Sequence, residues 1–172
     1  MIPRKKIQTK VYDLLRQNQI ERPPTDVYRV AGSLGIKILL TKFDRDDVSG
    51  VLIRKGDDIL IGVNVDHSSN RQRFTIAHEI GHFLLHMIKP IFVDQVILRF
   101  RDDVSSEGCD LEEIEANVFA AELLMPEFFI LRDIGSLDIW DDESIQRLAR
   151  EYDVSLQSLA YRLSNLGYSP VV

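Results

Sequence analysis

Apolar residues recur along this chain with two different periods, and the changes of period mark where helices and strands alternate. From Lys6 to Gln19 the positions Ile7, Val11, Leu14 and Leu15 fall at three- and four-residue intervals, the stripe of an amphipathic helix. Pro23-Pro24 breaks the chain, and Thr25 stands where a cap opens a short helix that Gly35 terminates. Three β-like runs follow, Ile36 to Phe43, Gly50 to Arg54 and Asp58 to Asn64, the last two joined by the turn Lys55-Gly56-Asp57. The helical period returns at Phe74, Ile76, Ala77, Ile80, Phe83, Leu84 and Leu85; Ser69 and Gln72 form an S-x-x-Q capping box before it, and it ends near His86. Pro90 to Arg101 alternates enough to be a further strand, and Leu111 to Met125 is a helical run stopped by Pro126. Pro126 starts another short helix, and two more complete the chain.

This order predicts an α+β fold in which a small antiparallel β-meander packs on a helical core. At 172 residues, 45% hydrophobic and 28% charged, the chain has the size and usage of one domain able to bury a substantial core. No repeat or low-complexity linker divides it, so residues 1–172 are expected to form a single domain, with residues 141–168 as a C-terminal helical subdomain. There is no apolar run of membrane-spanning length, and the start Met-Ile-Pro-Arg-Lys-Lys is polar, without a secretory pattern. Cys109 is the single cysteine, which excludes an internal disulfide and suits a reducing compartment. A soluble, unprocessed, cytoplasmic protein with no membrane association is the expectation.

One segment carries chemistry. His78-Glu79-Ile80-Gly81-His82 matches H-E-x-x-H inside an apolar helix. Histidines four residues apart stand one above the other on one helix face, where both imidazoles can reach one zinc ion, while the glutamate between them can take a proton from the attacking water. That pattern predicts a zinc-dependent hydrolase with His78 and His82 as metal ligands and Glu79 as the catalytic acid/base.

A catalytic zinc site needs a third protein ligand. His86 lies about 12 Å along a continuous helix from His78 at ~1.5 Å per residue, too far for one ion, and reads as a helix-end residue favourably placed against the dipole. The continuation that bends at a glycine before a third histidine is absent, since Phe83-Leu84-Leu85-His86 holds none. The run from Leu111 to Pro126 is the better source. Glu113, Ala116 or Asn117, Ala120 and Leu124 share a stripe whose alanines permit close approach to the His78/His82 helix, and the Asn117 amide could orient a ligand histidine. Glu113 is the favoured third ligand. Asp110 and Glu113 also satisfy a D-x-x-E cap, in which case Glu115 takes its place. Glu122, an acid in an apolar stretch, reads as a hydrogen-bonded structural residue.

Together, Arg73-Phe74-Thr75-Ile76-Ala77-His78-Glu79-Ile80-Gly81-His82 and Glu113-Ile114-Glu115-Ala116-Asn117-Val118-Phe119-Ala120-Ala121-Glu122-Leu123-Leu124-Met125-Pro126 resemble the two signature segments of the ImmA/IrrE-type metallopeptidases. The resemblance implies a zincin-like core with zinc held by His78, His82 and the Glu113 of an E-x-x-A-N segment, and Glu79 as acid/base. It also implies a bacterial or mobile-element protein that inactivates a cognate helix-turn-helix repressor or antitoxin, usually by cleavage. The alternative role is a binding module that neutralises such a repressor by contact.

Ile145 to Leu163 resembles a helix-turn-helix. Its second helix offers Gln157, Ser158, Tyr161 and Arg162 amid Asp141, Asp142, Glu143, Glu151 and Asp153, in a chain of net charge −6. Without a basic footprint, direct nucleic-acid binding is not expected, and a helical pair packed on the core is. Tyr152, Tyr161 and Tyr168 could stabilise an oxyanion chemically, but their spacing places none of them at the cleft. Gly62, in Ile59 to Asn64, suits either a sheet edge that pairs with an extended substrate or an interior strand with a bulge.

Overall fold

The computed structural model describes residues 1–44, 48–86, 91–94, 109–135 and 141–168. It is an α+β arrangement of helices α1 (Arg4–Gln17) and α2 (Val27–Ser33), strands β1 (Ile36–Thr41), β2 (Gly50–Lys55) and β3 (Asp58–Asn64), helix α3 (Ser69–Leu85), strand β4 (Ile91–Asp94), and helices α4 (Cys109–Leu124), α5 (Glu127–Ile134), α6 (Asp142–Tyr152) and α7 (Leu156–Asn165). Pro90 and residues 95–101 of the Pro90–Arg101 run lie outside the described residues.

The strands form one sheet in the order β1-β3-β2-β4. β2 pairs antiparallel with β3 across the tight turn at Gly56 and also with β4, but β1 pairs with β3 in parallel. The expected antiparallel meander is therefore a mixed sheet. The reason is burial: Ile61, Gly62, Val63 and Asn64 are all buried, so β3 is covered on both faces and sits inside the sheet, and β1 adds along its far side. Gly62 pairs with Leu39 and Val51 in unbroken register, so it is neither at an edge nor at a bulge.

Two helix starts differ from their sequence reading. Ser68 is the N-cap of α3, and Gln72 donates its side chain to the carbonyls of Val65 and His67 rather than closing a box with Ser69. Asp26 caps α2 by accepting from the Arg29 amide, while the Thr25 hydroxyl is buried and donates to the Leu123 carbonyl of α4 at 2.8 Å.

The core runs from Ile7, Val11, Leu14 and Leu15 of α1 through Leu52, Ile61 and Val63 of the sheet to Ile76, Ala77 and Ile80 of α3 and Phe119, Ala120 and Leu123 of α4. The C-terminal helices share this core through Ile145, Leu148, Leu159 and Leu163, and polar ties add to the apolar contact. Arg162 of α7 is buried, paired with Glu122 of α4 and donating to the Met125 carbonyl. Arg73 of α3 donates to the carbonyls of Thr25 and Asp153. Asp153, at φ 52°, and Ser155, whose hydroxyl accepts from the Ser158 amide, make the turn between α6 and α7. Among the described residues no helix is long and apolar enough to cross a membrane.

Candidate metal centre

Buried α3 presents His78 and His82 one turn apart, with their Nε2 atoms 2.9 Å from each other. α4 crosses against it and delivers Glu113, whose Oε2 lies 3.2 Å from His78 Nε2 and whose Oε1 lies 3.2 Å from His82 Nε2. These three are the one His/Cys/Asp/Glu group among the described residues placed to hold a metal ion. Tetrahedral coordination at the ~2.0–2.1 Å usual for nitrogen and oxygen ligands of zinc sets donor atoms roughly 3.3 Å apart. The separations of 2.9 and 3.2 Å match that to within a few tenths of an ångström, so the residues fit a tetrahedral divalent ion.

Electrostatics favours the same role. Burial works against a charge on Glu113, but hydrogen bonds from His78 and His82 outweigh it and hold the carboxyl down to about 2, so a carboxylate faces the two imidazoles at neutral pH. Glu113 remains about one-third exposed while both histidines are buried, which leaves the centre open on the glutamate side.

The approach of the two helices depends on small residues. Ala116 and Ala120 are fully buried, and Gly81 faces Ala116 so closely that a Cβ there would lie 3.2 Å from the Ala116 Cα and carbonyl oxygen and from Phe119 Cβ. A second glycine bounds the acid. Glu79 is fully buried, and a Cβ on Gly50, the first residue of β2, would stand 3.0 Å from Glu79 Oε1 and 2.4 Å from the Thr75 methyl. Neither glycine figured in the reading of the sequence. The signal for Gly81 was available as a glycine inside a strong helical pattern.

Around the cluster, Asn117 Oδ1 lies 3.0 Å from His78 Nδ1, where the amide oxygen can accept from the ring. His86, read as a helix-end residue, is the C-cap of α3, but its ring turns back on the helix: its Nδ1 is 3.1 Å from His82 Nδ1. Its other nitrogen is 3.0 Å from Glu115 Oε2. Glu115, the substitute ligand of the sequence reading, therefore points away from the cluster, and its second oxygen accepts from the Ile2 amide. Burial raises the Glu115 carboxyl, but the Ile2 and His86 hydrogen bonds more than offset it and the group lies below its ordinary value. Glu122 is a buried structural acid on Arg162, and Tyr152 is committed to Asp133 at 2.6 Å between α6 and α5. The side chain of Asp110, the proposed capping partner of Glu113, lies outside the described residues.

Comparison with known proteins gives a family. The IrrE N-terminal-like domain family matches residues 31–164. The radiation response metalloprotease IrrE of Deinococcus deserti is 35% identical over 116 residues, covering 66% of this chain and 38% of that protein. Its Deinococcus radiodurans counterpart is 33% identical over 116 residues, covering 33% of that protein, so the chain spans little more than a third of the length of these relatives. Metallopeptidase ImmA of Bacillus subtilis is 29% identical over 133 residues, 76% of this chain and 72% of ImmA. A solved Mycobacterium tuberculosis transcriptional regulator superposes with a TM-score of 0.63 at 18% identity, over 92% of this chain and 46% of that one, a likeness of fold.

Proposed function

The chain belongs to the IrrE N-terminal-like family of metallopeptidases, and from that premise we propose that it is a zinc-dependent endopeptidase acting on a protein partner in a reducing cytoplasm. The observation that carries the reading is the buried Glu79 on the same helix as two imidazoles that converge with Glu113. A binding protein has no physical need for a buried carboxylate between two metal-facing histidines, because taking a carboxylate out of water is costly.

In this proposal His78, His82 and Glu113 hold the ion. When bound, zinc supplies Lewis-acid polarisation of the scissile carbonyl and a water acidified towards neutrality. The chain's own residues do the rest. Glu79 would accept a proton from the attacking water and return it to the leaving amine, and Thr75 and Gly50 bound the space in which its carboxylate sits. Asn117 keeps the His78 ring turned so that Nε2 faces Glu113. The partner class is a helix-turn-helix repressor or antitoxin, as the two signature segments imply. α7 gives little support to direct DNA contact, since Arg162, the cation on its stripe, is spent on Glu122.

The test is metal analysis of the purified chain followed by incubation with a helix-turn-helix regulator encoded near its gene. Stoichiometric zinc, together with cleavage that disappears in Glu79→Gln while zinc is retained, supports the peptidase. Partner inactivation that survives Glu79→Gln would replace proteolysis with neutralisation by contact.

A further inference from the structure

The two histidines of the centre are held differently from outside. His78 meets an amide, Asn117, whereas His82 meets a second imidazole that is itself held by a carboxylate. All three groups of that second arrangement are buried: His82 is 2% exposed as a residue, and the side chains of His86 and Glu115 are 8% and 7% exposed.

We infer that His86 and Glu115 are positioning residues for the metal centre, a histidine–carboxylate pair that fixes the ring plane and tautomer of His82. The inference rests on the reading of His82 as a metal ligand. The protons then have one consistent arrangement. If Nε2 of His82 is the donor to the ion, its proton sits on Nδ1 and must be given away, and the atom facing it at 3.1 Å is Nδ1 of His86. His86 Nδ1 accepts, so the proton of that ring is on Nε2, and Nε2 faces Glu115 Oε2 at 3.0 Å. Glu115 accepts it as a carboxylate. The chain of donors runs in one direction, from His82 through His86 to a charge that is kept in place on its other oxygen by the Ile2 amide.

This arrangement does two things that a bare ligand histidine lacks. It removes the ring flip that would put Nδ1 of His82 towards Glu113, and it raises the electron density that the ring offers through Nε2. It also explains why Glu115 lies two residues after Glu113. On α4 that spacing turns the two acids to different sides of the helix, so that one faces the cluster and the other faces the outer histidine.

The test measures metal, not proteolysis. Zinc affinity of the 172-residue chain is read by competition with a chromophoric chelator, and ligand geometry by the visible absorption bands of the cobalt(II)-substituted protein. Loss of an outer partner of a ligand histidine typically weakens binding about 10- to 100-fold. His86→Leu should fall in that range, Glu115→Gln should fall less because an acceptor remains, and both should shift the cobalt bands. His86→Asn places an amide atom where Nδ1 stood and should recover part of the affinity. Metal-free melting temperatures separate positioning from folding. Affinity lost only in proportion to melting temperature, with unmoved cobalt bands, would show packing alone and overturn the inference. So would unchanged affinity in His86→Leu and Glu115→Gln, while leaving the peptidase reading intact. An unaltered chain that takes up no zinc would remove both.

Discussion

Glu113 reaches the imidazoles only while the backbones of α3 and α4 stay close at Gly81, so Gly81→Ala tests the geometry of the centre without touching a ligand. The added methyl would stand 3.2 Å from the Ala116 Cα, the Ala116 carbonyl oxygen and Phe119 Cβ. None of these atoms can rotate away. Carbon contacts are most favourable at about 3.5–4.0 Å, so α4 has to withdraw by roughly 0.3–0.8 Å. Ala116 lies three residues after Glu113 on the same side of α4, and the carboxylate moves with it. In the metal-free chain, overpacking costs about 1–3 kcal/mol. Replacing a helical glycine by alanine returns about 1 kcal/mol, which leaves a net loss of about 0–2 kcal/mol. Metal binding, however, has to draw the helices together again. If about 1.4 kcal/mol of that compression falls on the bound state, zinc affinity drops about tenfold. Chelator competition on Gly81→Ala should show this drop with a metal-free melting temperature lowered no further than that net loss requires, and Gly81→Val should show more. Unchanged zinc affinity in both variants would refute the claim that this contact sets the reach of Glu113.

Glu113→Ala should abolish stoichiometric zinc, whereas Glu115→Ala should retain it with reduced affinity; the reverse result, read by metal analysis after dialysis, would exchange their roles. Gly50→Ala should lower proteolysis with zinc retained, since its Cβ collides with the Thr75 methyl and crowds Glu79, and adding Thr75→Ser, which lacks that methyl, should restore activity in the same assay. Glu122→Ala leaves the buried Arg162 guanidinium uncompensated and should cost about 3–5 kcal/mol in denaturant unfolding. A loss under about 1 kcal/mol would show that the pair is relaxed by water.

Periodicity made most elements legible, because the apolar residues that set the helical stripes are the ones the core buries: Ile7, Val11, Leu14 and Leu15 in α1, and Ile76, Ala77 and Ile80 in α3. The four-residue spacing that brings His78 and His82 to one face of α3 was legible for the same reason. What local pattern could not supply was any contact between segments distant in sequence. The parallel pairing of β1 with β3 depends on β3 being covered on both faces, which the continuous run Ile59 to Val63 hinted at but adjacency in sequence argued against. Thr25 looked like a cap because threonine commonly is one, yet its hydroxyl serves a carbonyl 98 residues away. His86 was judged by its distance along the helix from His78 and by its place at the helix end. Its neighbour across one turn is His82, and its second partner is on another helix.

The helices that carry His78, His82 and Glu113 are packed by groups that owe nothing to a metal. Ile76, Ala77 and Ile80 on α3 and Phe119, Ala120 and Leu123 on α4 are fully buried in the common core, and Thr25 and Arg162 tie the end of α4 to the segment before α2 and to α7. Small metallo-domains that fold only when loaded lack such a core, and there the ion supplies the folding energy. Here the apolar surface does, and Asn117 and His86 already meet the outer nitrogens of both histidines. Loading therefore requires little ordering of side chains, so the free energy of binding is available to hold the ion rather than to build its site. That is the condition under which a metal site of the proposed kind can leave one side open, as the part-exposed Glu113 would, without the fold depending on what enters it.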